Sequence, residues 1–145
     1  MRVRLFNTYG PGEPYSTYRS VICRFAYCAL HGLPYEVYED HHRSFTYIDD
    51  CVRTLANISE YFHPGEAYNI SGEEYWSIRQ LSDAILKAAG KDDRHVTYRK
   101  VEYMNTLNKK GCTKKSREHL KHEIRVNLAE GIPLTVKWMR EFYGK

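Results

Sequence analysis

Arg2-Val-Arg-Leu-Phe-Asn-Thr-Tyr-Gly-Pro-Gly12 and Ala67-Tyr-Asn-Ile-Ser-Gly72 are the two stretches whose reading decides the fold. Each is a short extended run stopped by residues that end regular structure, so each reads as a strand followed by a loop. The material between them carries helical periodicity, which makes the pair two parallel strands joined by a crossover. Two parallel strands leave backbone donors and acceptors open on their edges, so the pair reads as part of a larger sheet, completed by further chain or by an oligomer.

Working outward, apolar residues at Tyr18, Val21, Ile22, Phe25, Ala26, Ala29 and Leu30 keep a 3.6-residue period from about Ser16, until Gly32 and Pro34 end the helix. Tyr35–Tyr38 alternates, the polar turn Glu39–Arg43 follows, and Phe45–Ile48 is again extended. Asp49 or Asp50 is placed to cap a helix running to Phe62, which His63-Pro-Gly65 breaks. Ser77-x-x-Gln80 is a capping box for a helix through Ala88, closed by Gly90. Val96–Tyr98 reads as a short extended piece, residues 113–121 as a basic helix, and Asn127-x-x-Glu130 as the capping box of a last helix reaching Tyr143. Pro133 lacks an amide hydrogen, so that helix is expected to kink there or to be regular only beyond it. No repeat or linker divides the chain, which reads as one domain.

Composition narrows the class. The chain has 145 residues, 42% hydrophobic and 28% charged, enough apolar material for a core. No run of eighteen apolar residues appears and the first residues lack a signal peptide's apolar stretch, so a soluble, cytoplasmic protein with no membrane partner is expected. Cys23, Cys28, Cys51 and Cys112 form no CxxC pair and read as reduced core residues. Thirteen tyrosines suit half-buried walls where a ligand or partner completes the burial. Residues 1–72 carry 6 basic and 8 acidic side chains, and residues 73–145 carry 16 and 10, so positive charge is concentrated late. The stretch 109–125 could attract phosphate, but no nucleic-acid fold signature accompanies it and no nucleic-acid partner is expected. His41-His42 and His119-x-x-His122 have no carboxylate or cysteine set to complete a shell, so no metal is expected.

The order of motifs is more specific than any of these. Arg4-Leu-Phe-Asn-Thr-Tyr-Gly-Pro-Gly-Glu13 is followed by Arg19-Ser-Val-Ile22, Gly32-Leu-Pro34, Val37-Tyr38 and Arg43-Ser-Phe-Thr-Tyr-Ile-Asp-Asp50. Tyr68-Asn-Ile70 and Glu130-Gly-Ile-Pro-Leu-Thr-Val-Lys-Trp138 complete the string. It resembles the C-terminal part of NAD-dependent nucleotide-sugar epimerases and dehydratases, the extended short-chain dehydrogenase/reductase family, over about residues 2–143. The resemblance implies an α/β fold: a mostly helical C-terminal portion with the last two strands of a parallel sheet plus short strand pairs. The family's Gly-x-x-Gly-x-x-Gly turn and its Tyr-x-x-x-Lys pair do not occur in residues 1–145. The chain is therefore expected to bind a nucleotide sugar and to be silent alone. The implied NAD or NADP would be held mainly by a missing half, possibly a separate N-terminal Rossmann chain. A non-catalytic homo-oligomeric module that keeps the scaffold is the alternative.

Carried over residue by residue, the resemblance places Phe6 beside the nicotinamide and aims the Asn7 carboxamide at the sugar nucleotide's diphosphate. Asn7 has the alternative of capping its own turn. Arg43 matches the arginine that grips the diphosphate, a task for which a planar guanidinium offers parallel donors, and an ion pair with Asp40 or Asp49 is its alternative. Val37 and Tyr38 match the strand lining the base pocket, and Ser20 and Val21 the start of the helix that closes it. Lys110, or its neighbour Lys109, falls where a second basic residue faces the phosphates. Ser44, the shortened turn Glu39-Asp-His-His42, Cys112 and Lys121-His122 depart from the family pattern. These departures leave base and sugar preference open.

Overall fold

The computed structural model describes residues 1–145. The chain forms β1 (Arg2–Leu5), β2 (Thr8–Tyr9), α1 (Val21–His31), β3 (Tyr35–Tyr38), β4 (His42–Ser44) and β5 (Thr46–Tyr47). It continues through α2 (Ile48–Ala56) with a 3-10 turn (Asn57–Ser59), β6 (Ala67–Ile70), β7 (Tyr75–Ser77) and α3 (Ile78–Ala89). It ends with β8 (Val96–Arg99), β9 (Asn108–Lys109), α4 (Lys114–Leu120) and α5 (Leu128–Tyr143). No helix is long and apolar enough to cross a membrane.

β1 and β6 pair in parallel with Arg2 opposite Ala67 and Leu5 opposite Ile70, the expected neighbours. Their burial is lopsided. Tyr68 and Ile70 are buried, whereas Leu5 on β1 is 50% exposed, and no strand pairs with the other edge of β1. Further parallel pairing appears where sequence alternation assigned only isolated extended pieces: β2 with β5, β3 with β8, and β4 with β9. β4 also takes β7 antiparallel, so three short strands meet around Arg43.

The core lies where α1, α3 and α5 pack together under β3 and the β2–β5 pair. Ile22, Phe25, Leu81, Ile85, Ile132, Val136 and Met139 meet Tyr9, Val37, Phe45 and Tyr47 there. The helix boundaries follow from caps. Ser20 accepts the Cys23 amide and so begins α1 at Val21, five residues later than the periodicity suggested, leaving Tyr18 almost wholly exposed. Tyr47, not an aspartate, precedes α2, because Asp50 is turned inward, and α2 tightens into the 3-10 turn well before Phe62. α5 runs unbroken through Pro133. The reciprocal Asn127–Glu130 capping box and a 2.6 Å hydrogen bond from the Leu128 amide to Glu74 hold its first turn. Cys23, Cys28 and Cys51 are buried as expected, but Cys112 is exposed.

Candidate functional site

β1 delivers the chain into a left-handed turn at Asn7, whose φ of 43° is uncommon for a residue with a side chain. That turn brings the Asn7 carboxamide toward β4, where Nδ2 donates to the Ser44 carbonyl at 2.7 Å. Across from it, the chain from Tyr15 to Ser20 leads into the first turn of α1, and β3 supplies a third wall. These segments enclose a cleft of about 610 Å³ lined by Asn7, Tyr15, Arg19, Ser20, Val21, Arg24, Glu36, Tyr38, His41, Arg43, Glu102 and Asn105, among others. Such a volume suits a drug-sized or cofactor-sized molecule.

Five of the residues singled out from sequence line this one cleft: Asn7, Ser20, Val21, Tyr38 and Arg43. Three do not. Val37 is fully buried in the core because alternation along β3 turns it away from Tyr38. Lys110 is drawn off by the Tyr75 ring, its ammonium 5.6 Å from the centroid. Phe6 is half-buried at the end of β1, where Gly111 approaches it so closely that an added Cβ would meet Phe6 Cγ at 3.2 Å.

Arg43 is 9% exposed and has no carboxylate partner, so neither ion pair considered from sequence forms. Its Nη1 donates to the carbonyls of His42 (2.9 Å) and Leu107 (2.7 Å), and Nη2 to the carbonyl of Thr106. A buried cation facing only neutral acceptors is under-compensated, and burial lowers its pKa from the ordinary arginine value. Arg19 and Arg24 also lack ion-pair partners. The two acids are engaged: Glu36 accepts from Arg99 at 2.7 Å and from the Tyr38 hydroxyl at 2.9 Å, and Glu102 accepts from Asn105. The Arg99 hydrogen bond holds the Glu36 carboxyl below its usual value, and Glu36 in turn raises the Tyr38 phenol. The cleft therefore carries three guanidinium groups without carboxylate partners beside the Tyr38 ring.

Ser20 is spent locally. Its hydroxyl accepts the Cys23 amide and donates to Glu13 Oε2 at 2.7 Å, while Glu13 Oε1 takes the Ser20 amide at 3.0 Å. The serine thereby fixes the start of α1, and Val21 presents the apolar surface. Arg19, Arg24 and His41 also line the cleft, although no sequence pattern marks them as binding residues. Arg19 stands in Arg19-Ser-Val-Ile22 and His41 in the His41-His42 pair, but only the fold shows that they and Arg24 face the cleft.

No group of three or more metal-binding side chains exists. His119 and His122 are used separately: His119 Nδ1 meets the Tyr68 hydroxyl at 2.9 Å, and buried His122 links Thr54 to the Ser71 carbonyl. A smaller hollow of about 280 Å³ lies between the C-terminal ends of α1 and α3 and holds none of the predicted residues.

Comparison with known proteins bears on the fold and the family. The NAD dependent epimerase/dehydratase family matches residues 1–71. A UDP-N-acetyl-alpha-D-glucosaminuronate decarboxylase of Bacillus cytotoxicus is 33% identical over 147 residues, covering 96% of this chain and 46% of that protein. An epimerase of Methanothermobacter thermautotrophicus superposes with a TM-score of 0.88 at 26% identity, covering 98% of this chain and 43% of the other. The UDP-glucose 4-epimerase of Thermotoga maritima, solved with UDP-glucose, gives 0.87 at 27%, covering 97% and 46%. The chain thus spans less than half the length of these relatives. With its fold, its motif order and these similarities in agreement, the chain belongs to the NAD-dependent epimerase/dehydratase family of extended short-chain dehydrogenases/reductases.

Proposed function

We propose that the chain is the nucleotide-sugar-binding portion of an NAD(P)-dependent epimerase, dehydratase or decarboxylase, a single substrate-binding domain that positions substrate and supplies no acid or base. The observation that carries this reading is one cleft of about 610 Å³ that gathers Asn7, Tyr38 and Arg43 from three separate segments. Arg43 holds the diphosphate, the Asn7 carboxamide supports it without adding charge, and Tyr38 with Val21 forms the wall against the base. In the complete enzyme the nicotinamide supplies hydride chemistry. The residues of this chain offer it one neighbour, Phe6, at the end of β1, so the dinucleotide is held mainly by the other half.

Calorimetric titration with UDP-, dTDP-, GDP- and CDP-sugars tests this, with and without a candidate N-terminal Rossmann chain. Heat with at least one of them, weakened about tenfold or more by Arg43→Ala, is expected. Binding indifferent to Arg43→Ala removes the phosphate-clamp assignment. The open edge of β1 with exposed Leu5 favours one other reading, a non-catalytic homo-oligomeric module. Light scattering showing a stable homo-oligomer, together with no heat from any nucleotide sugar, would select it.

A further inference from the structure

His41 is 2% exposed and lines the cleft, and both ring nitrogens face groups that can only donate. The Glu102 amide donates to Nε2 at 3.1 Å, and Nη2 of Arg43 lies 3.2 Å from Nδ1. A neutral imidazole has one acceptor nitrogen and one N–H, so it cannot satisfy both neighbours. The Glu102 amide has no other acceptor in its loop, whereas Arg43 has several. The arrangement that leaves fewest groups unpaired therefore puts the lone pair on Nε2 and the proton on Nδ1. That choice turns a buried Nδ1–H toward an arginine nitrogen and leaves it without an acceptor.

Nη2 of Arg43 is loosely held on the same side. One of its two hydrogens goes to the Thr106 carbonyl, and the other reaches only Asn105 Oδ1 at 3.5 Å, the longest of the guanidinium's contacts. Two donors on the cleft wall thus lie side by side, and neither has a good acceptor. The surrounding charges leave this need unmet: Glu36 is taken by Arg99 and Tyr38, Glu102 by Asn105, and Glu39 by Arg79. The Tyr38 ring, 5.9 Å from the imidazole, closes the remaining side.

We propose that His41 is a second anion-binding residue, its Nδ1–H and Arg43 Nη2 together forming a two-pronged donor site for one oxyanion oxygen of a phosphoryl group. The anion replaces the weak Asn105 contact and relieves the donor–donor contact, so the site gains two good hydrogen bonds where it had one poor one. This deepens the proposed function and rests on it, since it names the atoms that hold the diphosphate.

The test uses the full chain with 15N-labelled histidine, inorganic pyrophosphate and UDP-glucose as ligands, and the variants His41→Phe and His41→Gln. Free chain should show His41 protonated at Nδ1, and pyrophosphate should shift that signal. Affinity for pyrophosphate should fall roughly tenfold or more in His41→Phe and be largely kept in His41→Gln, which retains an N–H donor. Thermal melting of both variants reports whether each is folded, and in a variant that is not, the tautomer and shift in the wild-type chain decide. An Nε2-protonated ring untouched by pyrophosphate overturns the inference. So does unchanged affinity in folded His41→Phe, while UDP-glucose binding that still depends on Arg43 would leave the functional reading standing. If the wild-type chain binds neither ligand, both fall.

Discussion

Asp50 shows how a residue's role can be legible in type and wrong in place. Its position before a helical run suggested a cap, yet its buried carboxylate reaches across to accept the Arg125 and Val126 amides, both at 3.0 Å, and pairs with Arg53 at 2.9 Å. The carboxylate ties α2 to the start of the last helical segment, a contact between residues distant in sequence that no local pattern encodes. Asp50→Ala leaves two amides and a guanidinium without their acceptor and should cost about 3 kcal/mol, read from the midpoint of urea unfolding. Glycine positions are equally sharp. A Cβ on Gly72 would stand 1.8 Å from the Phe45 carbonyl oxygen, which is backbone and cannot swing aside. Gly72→Ala should therefore destabilise by about 3 kcal/mol or prevent folding, and an unchanged melting temperature would contradict this packing.

Among the elements, the walls of the cleft depend on a C-terminal aromatic clamp. Tyr15 stacks on Tyr27 of α1 with centroids 3.9 Å apart, Tyr27 stacks on His31, and Tyr143 of α5 meets both edge-on. The Tyr143 hydroxyl also accepts the Tyr15 amide at 2.9 Å. The last turn of the chain thereby holds the segment that carries Arg19 and Ser20 into the cleft. Tyr143→Phe removes one hydrogen bond, about 1 kcal/mol, and should speed hydrogen exchange at Tyr15 while the amides of α3 keep their protection. Equal protection at Tyr15 in both proteins would show that stacking alone suffices. The tyrosine excess read from composition finds part of its explanation here, since these rings serve core edge and cleft wall together.

For the whole molecule, burial of neutral acids sets the behaviour in alkali. Burial raises the thiols of Cys28 and Cys51 and the phenols of Tyr9 and Tyr35, and it pushes the Cys23 thiol up to about 12 and the Tyr98 phenol up to about 12. The folded chain holds these protons more tightly than the unfolded chain. Stability is thus fully present below the ordinary thiol value of 9.0 for Cys23 and is lost as pH rises toward about 12. Urea midpoints measured from pH 9 upward should fall steadily, and a flat profile would contradict the burial. The same geometry predicts that iodoacetamide labels the native chain only at Cys112, the exposed cysteine, with the other three reacting after unfolding.

Periodicity, caps and turn residues by themselves determined which segments become helices and that β1 and β6 run parallel, but not the other three parallel pairs. The helix choices are made by neighbours within a few residues: Ser77 with Gln80, Asn127 with Glu130, and the αL glycines Gly32 and Gly90 at helix ends. The resemblance singles out Arg43 and Asn7, and the fold brings both to one cleft. Tertiary structure alone decided that Val37 turns inward while Tyr38 faces the cleft, that Lys110 is held away by Tyr75, and that His41 Nδ1 lies 3.2 Å from Arg43 Nη2. The physical reason is that side-chain direction and hydrogen-bond partnership depend on groups brought together from distant parts of the chain, which local propensity does not record.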